Sequence, residues 1–200
     1  MCGILWIENK KGRSAVKPAL KRYRGQSGRG TEGFGYVSVN ADGFISEVVR
    51  STDEKSFITA LNNENASALL IHHRYPTSTP NFAGATHPMV IKDERFQYDY
   101  YIVHNGVIRN YKYMFEQYKK DGYKFLTEII TGKFHQFANT QEVYYEDDKE
   151  TIVNDSEVFA IDLVEFIEGR STVIKSAGTI AFIALQVRKD GKVENLIYGR

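Results

Sequence analysis

The chain has a single cysteine among its 200 residues, and it is the second one, in Met1-Cys2-Gly3-Ile4-Leu5. A thiol can pair into a disulfide, bind a metal or, as its thiolate, attack an electrophilic carbon. One cysteine excludes an internal disulfide, and the five histidines, at 72, 73, 87, 104 and 135, lack the cysteine partners of a zinc ribbon or finger. No metal or cofactor is therefore expected. A single small thiol near a terminus is by itself usually incidental, so its position takes on meaning only from the other residues.

Other stretches carry residues suited to polar chemistry: Arg29-Gly30-Thr31-Glu32-Gly33-Phe34-Gly35-Tyr36, Arg74-Tyr75-Pro76-Thr77, Ala85-Thr86-His87-Pro88, His104-Asn105-Gly106-Val107-Ile108 and Asn154-Asp155-Ser156-Glu157. Each has a plainer reading in isolation. A lone arginine usually makes a surface ion pair, Asn-Gly is an ordinary turn, and an aspartate before an apolar run is usually a helix cap. His72, His73 and His135 read as packing or surface residues.

The elements that must position these residues are partly legible. Ile4 to Ile7 is a short apolar run that suits a buried first strand, with Cys2 at its start. Ser14 is placed to cap a basic helix to about Tyr23. Gly35 to Asn40 and Phe44 to Val49 read as a hairpin around Asp42-Gly43, whose glycine supplies the positive φ that strand twist prefers. A helix from Asp53 to Leu61 is followed by a buried strand from Ala66 to His73, with Arg74 at its end. Tyr75 to Pro88 holds three of the four prolines and reads as a loop. Tyr98 to Val103 is strand-like and leads into His104-Asn105-Gly106. Tyr111, Met114, Phe115 and Tyr118 fall at helical spacing. Thr131 to Glu150 reads as an irregular acidic excursion, an insertion around 130–151. Asp155 or Ser156 caps a helix to Phe166, and Gly178 to Val187 and Val193 to Ile197 close the chain as two strands around Asp190-Gly191. Paired antiparallel strands with a few helices make the class α+β, in one domain over 1–200.

Composition agrees with a self-sufficient domain: 42% hydrophobic, 26% charged, and a net charge of +1. So small a charge gives no argument for nucleic acid or an anionic membrane as partner. No apolar window reaches the roughly 20 residues of a membrane span, and Glu8, Asn9 and Lys10 interrupt the N-terminal apolar run before it could form a signal-peptide core. A reducing, cytoplasmic setting is expected.

Taken together and in order behind Met-Cys-Gly-Ile, the five stretches resemble the class II glutamine amidotransferases, which belong to the N-terminal nucleophile hydrolases. The resemblance touches points along essentially the whole chain. It implies a four-layer αββα sandwich, with two antiparallel sheets face to face and helices outside. It also gives the cysteine's position a reason. Removal of Met1 would free an α-amino group on the residue that bears the thiol, and such an amine titrates near pH ~8, close enough to neutrality to act as general base.

By the same resemblance, the Asn105 side-chain amide and the Gly106 N–H are the donors that stabilise the oxyanion. Arg74, with Thr77 beside it, takes the glutamine carboxylate, and Asp155 takes the ammonium, a fixed cation and a fixed anion for a zwitterion. Gly33 lines the pocket, His87 is a loop histidine there, and Arg29 braces the active-site loop. The implied reaction is glutamine plus water giving glutamate and ammonia through a γ-glutamyl thioester, with ammonia passing to a synthase, as a partner in trans or a domain missing from this chain. Fifty residues separate Asn105 from Asp155, more than is typical of the family. Two other readings keep the fold: a stand-alone hydrolase of γ-glutamyl amides or peptides, and an inactive regulatory binding module.

Overall fold

The computed structural model describes residues 2–9, 13–76, 79–136 and 143–200. The first half runs β1 (Gly3–Glu8), α1 (Val16–Arg24), β2 (Gly33–Val39), β3 (Ile45–Ser51), α2 (Glu54–Asn62) and β4 (Ala68–Arg74). The second runs β5 (Met89–Ile91), β6 (Asp99–His104), β7 (Val107–Ile108), α3 (Tyr111–Lys120), β8 (Ile129–Gln136), β9 (Val143–Ile152), α4 (Asp155–Ile167), β10 (Gly178–Thr179), β11 (Phe182–Val187) and β12 (Val193–Gly199). Two four-stranded antiparallel sheets form, in the orders β1-β4-β2-β3 and β12-β11-β6-β5.

The period-2 alternation of strands decides which side chains meet which layer. On β4, Leu69 and Ile71 face α1 and α2, whereas Ala68 and Leu70 face the opposite sheet. On β6, Tyr101 and Val103 meet that inner layer, and Tyr100 and Ile102 meet α3 and α4. Three hydrophobic layers result, one between the sheets and one under each helix pair, which is the αββα order. Helix α1 shows why it docks: Val16, Ala19, Leu20 and Tyr23 repeat at helical spacing on one buried stripe, while its Lys and Arg residues face away.

Helix α4 departs from that pattern, being buried from Asp155 through Val164. Its interior acids are therefore paired. Asp162 accepts from the Tyr118 hydroxyl at 2.9 Å and from the Ser176 N–H and hydroxyl at 2.8 Å each. Glu157 accepts from Leu126 N, Thr127 N and Thr127 Oγ1.

Three sequence expectations are corrected. The excursion at 131–150 is a hairpin of β8 and β9, paired from Ile129↔Ile152 outward. Its β-branched and aromatic residues outweigh the acidic run that disguised them. The strand expected from Gly178 to Val187 is two strands, since Gly178–Thr179 leave the sheet to pair with β7. The N-cap of α4 is Asn154, whose side chain accepts from Ser156 N, rather than Asp155 or Ser156.

Candidate active site

Antiparallel register sets Gly3 opposite His73, so Cys2 lies level with the chain leaving β4 at Arg74 and Tyr75. Alternation along β1 gives Cys2 the same parity as Ile4 and Trp6, which pack into the layer between the sheets. His72 and Arg74 share the parity of Leu70 on β4, so all three polar side chains belong to the inter-sheet side. Cys2 Sγ accepts from Tyr75 N at 3.3 Å, and the Cys2 carbonyl accepts from Arg29 Nε at 3.3 Å. Burial pushes the thiol's pKa up, while the Tyr75 backbone hydrogen bond and the charge of Arg74 pull it back and Asp155 pushes it further up.

Arg74 is buried, and its guanidinium is engaged by the loop that follows. Nη1 donates to Pro80 O at 3.1 Å and Asn81 Oδ1 at 3.2 Å; Nη2 donates to Thr79 O at 3.0 Å and Thr79 Oγ1 at 2.6 Å. Burial lowers its pKa to about 10, although Cys2, Asp155 and Glu32 favour its charge. Gly33 sits opposite Arg74 in the β2–β4 ladder, where a Cβ would stand 2.8 Å from Thr86 Oγ1 and 3.0 Å from Arg74 Cβ. Only a glycine lets the arginine stem pass so close.

Asn105 and Gly106 form the corner between β6 and β7. Asn105 exchanges backbone hydrogen bonds with Ala181, at 2.8 and 3.1 Å. A Cβ on Gly106 would lie 1.8 Å from Thr179 O and 2.7 Å from His104 Nε2, so the corner is pressed against β10 and the imidazole. Asp155, at the first turn of α4, accepts from Ile108 N at 2.9 Å through Oδ2, which ties that helix to the strand after the corner.

Three imidazoles underlie this arrangement. His104 Nε2 lies 3.3 Å from Thr179 O and Nδ1 lies 2.9 Å from Ser156 Oγ. The carbonyl can only accept, so the network assigns the proton to Nε2 and makes Ser156 the donor to Nδ1. By the same logic His72 Nε2 donates to the His104 carbonyl at 3.2 Å. The rings of His72 and His87 stand 3.9 Å apart. Burial holds the pKa of His72 and His87 well below the ordinary histidine value; the charges of His73 and Arg74 add to the effect on His72, and those of His72, His104 and Arg74 to the effect on His87. His104 is lowered too, by burial, against the pull of Asp155. These rings are neutral at physiological pH.

Two spaces meet at the thiol. An inner one, of only about 10 Å³, is lined by Cys2, Arg74, His87, Gly106, Asp155 and their neighbours. An outer one, of about 730 Å³, is lined by Cys2, Arg29, Tyr75, Asn105, Gly106 and the segment from Thr179 to Ala181. Of the residues picked out in the sequence, Cys2, Gly33, Arg74, His87, Asn105, Gly106 and Asp155 converge here, with Arg29 on the Cys2 carbonyl; Thr77 and the side chain of His135 lie outside the described residues. Tyr75, His104 and Ser156 stand within the quoted stretches without a site role of their own, and Thr179 stands outside them. His104 and Ser156 adjoin residues that were noticed, whereas no sequence signal marks Thr179. His72 does pack, as expected, but it also holds the carbonyl that leads into the corner.

No family model matches the chain. In sequence it is 29% identical over 136 residues, 66% of its length, to a glutamine–fructose-6-phosphate aminotransferase (isomerizing) of Sulfurisphaera tokodaii. In fold it matches a glutamine phosphoribosylpyrophosphate amidotransferase from B. subtilis complexed with ADP and GMP, at a TM-score of 0.59 and 15% identity over 93% of the chain. A structure described as the allosteric regulatory enzyme of purine biosynthesis matches equally, at 0.59, with 16% identity over 93%. In sequence and in fold the chain is thus similar to class II glutamine amidotransferases.

Its αββα sandwich is accordingly the N-terminal nucleophile hydrolase fold. The chain spans 22% of the aminotransferase's length and 35% of each solved neighbour's. Among the described residues, no helix is long and apolar enough to cross a membrane. The interval between Asn105 and Asp155 is occupied by β7, α3 and the β8–β9 hairpin.

Proposed function

We propose that this chain is a glutaminase whose nucleophile is Cys2 after removal of Met1. The freed α-amine takes the thiol proton, and Sγ attacks the side-chain amide carbon of glutamine. The oxyanion so formed accepts from the Asn105 side-chain amide and the Gly106 N–H, each such donor being worth roughly 3–4 kcal/mol in the transition state. The C–N bond then breaks, the proton held by the amine leaves with ammonia, and water resolves the γ-glutamyl thioester to glutamate. The observation that carries this reading is that Cys2 and Gly106 border both the inner and the outer space, so a carbonyl held between them meets nucleophile and donor together.

The glutamyl end belongs on the inner side, with Arg74 and Thr77 on its carboxylate and Asp155 on its ammonium. About 10 Å³ holds roughly one water, not an amino acid. Binding therefore displaces Thr79–Asn81 from the guanidinium, and the substrate carboxylate replaces their oxygens. Gly33 keeps the wall thin at this point, and His87 presents a neutral imidazole. The ammonia is handed to a synthase, in trans or elsewhere in a longer chain, in a reducing cytoplasm that keeps the thiol free.

Intact-mass measurement of the purified protein, with ammonia release from glutamine and labelling by a glutamine-mimicking electrophile, tests the reading together. Loss of Met1, ammonia production and labelling confined to Cys2 are expected. A retained Met1 on a protein that neither turns over nor labels would sink it, and would leave the inactive binding module.

A further inference from the structure

The main-chain donor proposed for the oxyanion is the N–H of Gly106, and a glycine does little to hold its own peptide in place. The backbone on either side is fastened. Asn105 exchanges hydrogen bonds with Ala181 at 2.8 and 3.1 Å, and Val107 N donates to Thr179 Oγ1 at 3.0 Å. A peptide between two fastened residues can still rotate about the line joining its Cα atoms, which swings the N–H away. A donor that stabilises an oxyanion has to stay aimed at it.

The imidazole of His104 closes that freedom. A Cβ on Gly106 would stand 1.8 Å from Thr179 O and 2.7 Å from His104 Nε2, so carbonyl and ring together crowd one face of the glycine. Nε2 donates to that same carbonyl at 3.3 Å, and Nδ1 accepts from Ser156 Oγ at 2.9 Å. The ring is buried and lies against Phe159 of α4, with centroids 4.8 Å apart. Two consecutive residues of α4 therefore bracket the corner: Ser156 through His104 just before it, and Asp155 through Ile108 N, at 2.9 Å, just after it.

We infer that His104 is a positioning residue for the oxyanion corner, its Nε2–H fixing the Thr179 carbonyl against Gly106 and its Nδ1 anchoring the ring to α4. This rests on the Cys2 reading above. The ring acts through Gly106, so disturbing it slows the chemical step and leaves ground-state binding, which belongs to Arg74 and Asp155, in place.

Two substitutions separate the ring's nitrogens. Gln sets an amide N–H where Nε2 stood and can still donate to Thr179 O; Asn sets an amide oxygen where Nδ1 stood and can still accept from Ser156. With glutamine and the full chain, His104→Gln is expected to keep kcat within about three-fold of the unsubstituted protein and His104→Asn to lose at least about thirty-fold, with KM within about two-fold in both. Alkylation of Cys2 by iodoacetamide, which needs the thiolate but no oxyanion donor, should keep its rate in both. A kcat for His104→Gln no better than that for His104→Asn, a loss carried by KM, or a matching loss of alkylation would overturn the role and leave the Cys2 reading standing. Where thermal melts show either histidine variant unfolded, Ser156→Ala decides: kcat about three- to ten-fold lower at unchanged KM supports the role, and unchanged kcat overturns it. An unsubstituted chain that releases no ammonia overturns the Cys2 reading, and this role with it.

Discussion

Cys2 Sγ and the backbone nitrogen of Tyr75 lie 3.3 Å apart, across the seam where the chain entering β1 passes the chain leaving β4. The N–H favours the thiolate over the thiol, and the guanidinium of Arg74 adds to it, while burial works against both. A thiol so poised needs a base close at hand, which the α-amine proposed to be freed on the same residue would provide.

Cys2→Ala is expected to abolish ammonia release from glutamine. Cys2 is half-buried and, among the described residues, the hydrogen bonds of its sulfur go to the Tyr75 backbone, so the melting temperature should move little, within about 1 kcal/mol of stability. Ammonia assays and thermal melts on the same preparation check it. Undiminished turnover in the alanine variant would exclude Cys2 as nucleophile.

Asp155→Asn separates binding from architecture. The amide oxygen can still accept from Ile108 N, now 2.9 Å from Oδ2, so the tie between α4 and the corner survives. What is lost is the charge proposed to face the substrate ammonium. A charge-assisted hydrogen bond is worth about 1.5–3 kcal/mol, so KM for glutamine should rise roughly ten- to a hundred-fold at nearly constant melting temperature. A melting temperature that falls with KM unchanged would make Asp155 a purely structural residue.

What the sequence disclosed followed the strength of local signals. The strand through Leu69, Leu70 and Ile71 was readable because an apolar run stood between polar boundaries, and the turns at Gly43 and Gly191 do take positive φ, of 85° and 91°. The β8–β9 hairpin was hidden by its own charges, and the break between Thr179 and Phe182 was invisible because it exists to pair β10 with β7, a non-local demand. The site divides in the same way. Asn105 and Gly106 could be found because order along the chain carried the resemblance. Tyr75 contributes a backbone N–H and Thr179 a carbonyl, groups every residue has, so only the folded chain shows them.

The histidine face of β4 predicts a pH dependence. His73 stacks on Tyr23 with ring centroids 4.1 Å apart, beside Phe34, and burial holds its pKa at about 4, against a weaker upward pull from Glu54 on α2 and the Gly30 backbone. A base with a depressed folded pKa binds fewer protons folded than unfolded between pH 4 and 6.5, so stability rises with pH across that window and is lost as pH falls through it. Buried His72, His87 and His104 shift in the same direction. Denaturant unfolding at pH 7 and pH 4.5 should differ accordingly, and His73→Phe should reduce the difference by about 1–3 kcal/mol. An identical pH slope in that variant would mean that His73 is protonated in the folded state at no cost.

Gly106→Ala strikes the corner directly. The added methyl would stand 1.8 Å from Thr179 O, a backbone atom held by the β7–β10 ladder, and 2.7 Å from the His104 imidazole, itself bonded to Ser156. Neither neighbour is the free end of a flexible side chain, so the backbone has to move. Overpacking of this kind costs about 1–3 kcal/mol, and the Gly106 N–H swings away from the position proposed for the oxyanion. Ammonia release should fall at least about a hundred-fold, beyond what the loss of stability explains. Gly28→Ala, where a Cβ meets nothing within 4 Å, is the control and should change neither activity nor melting temperature. Near-normal turnover in Gly106→Ala would show that the corner can shift without consequence, and that its N–H is not aimed at the reacting carbonyl.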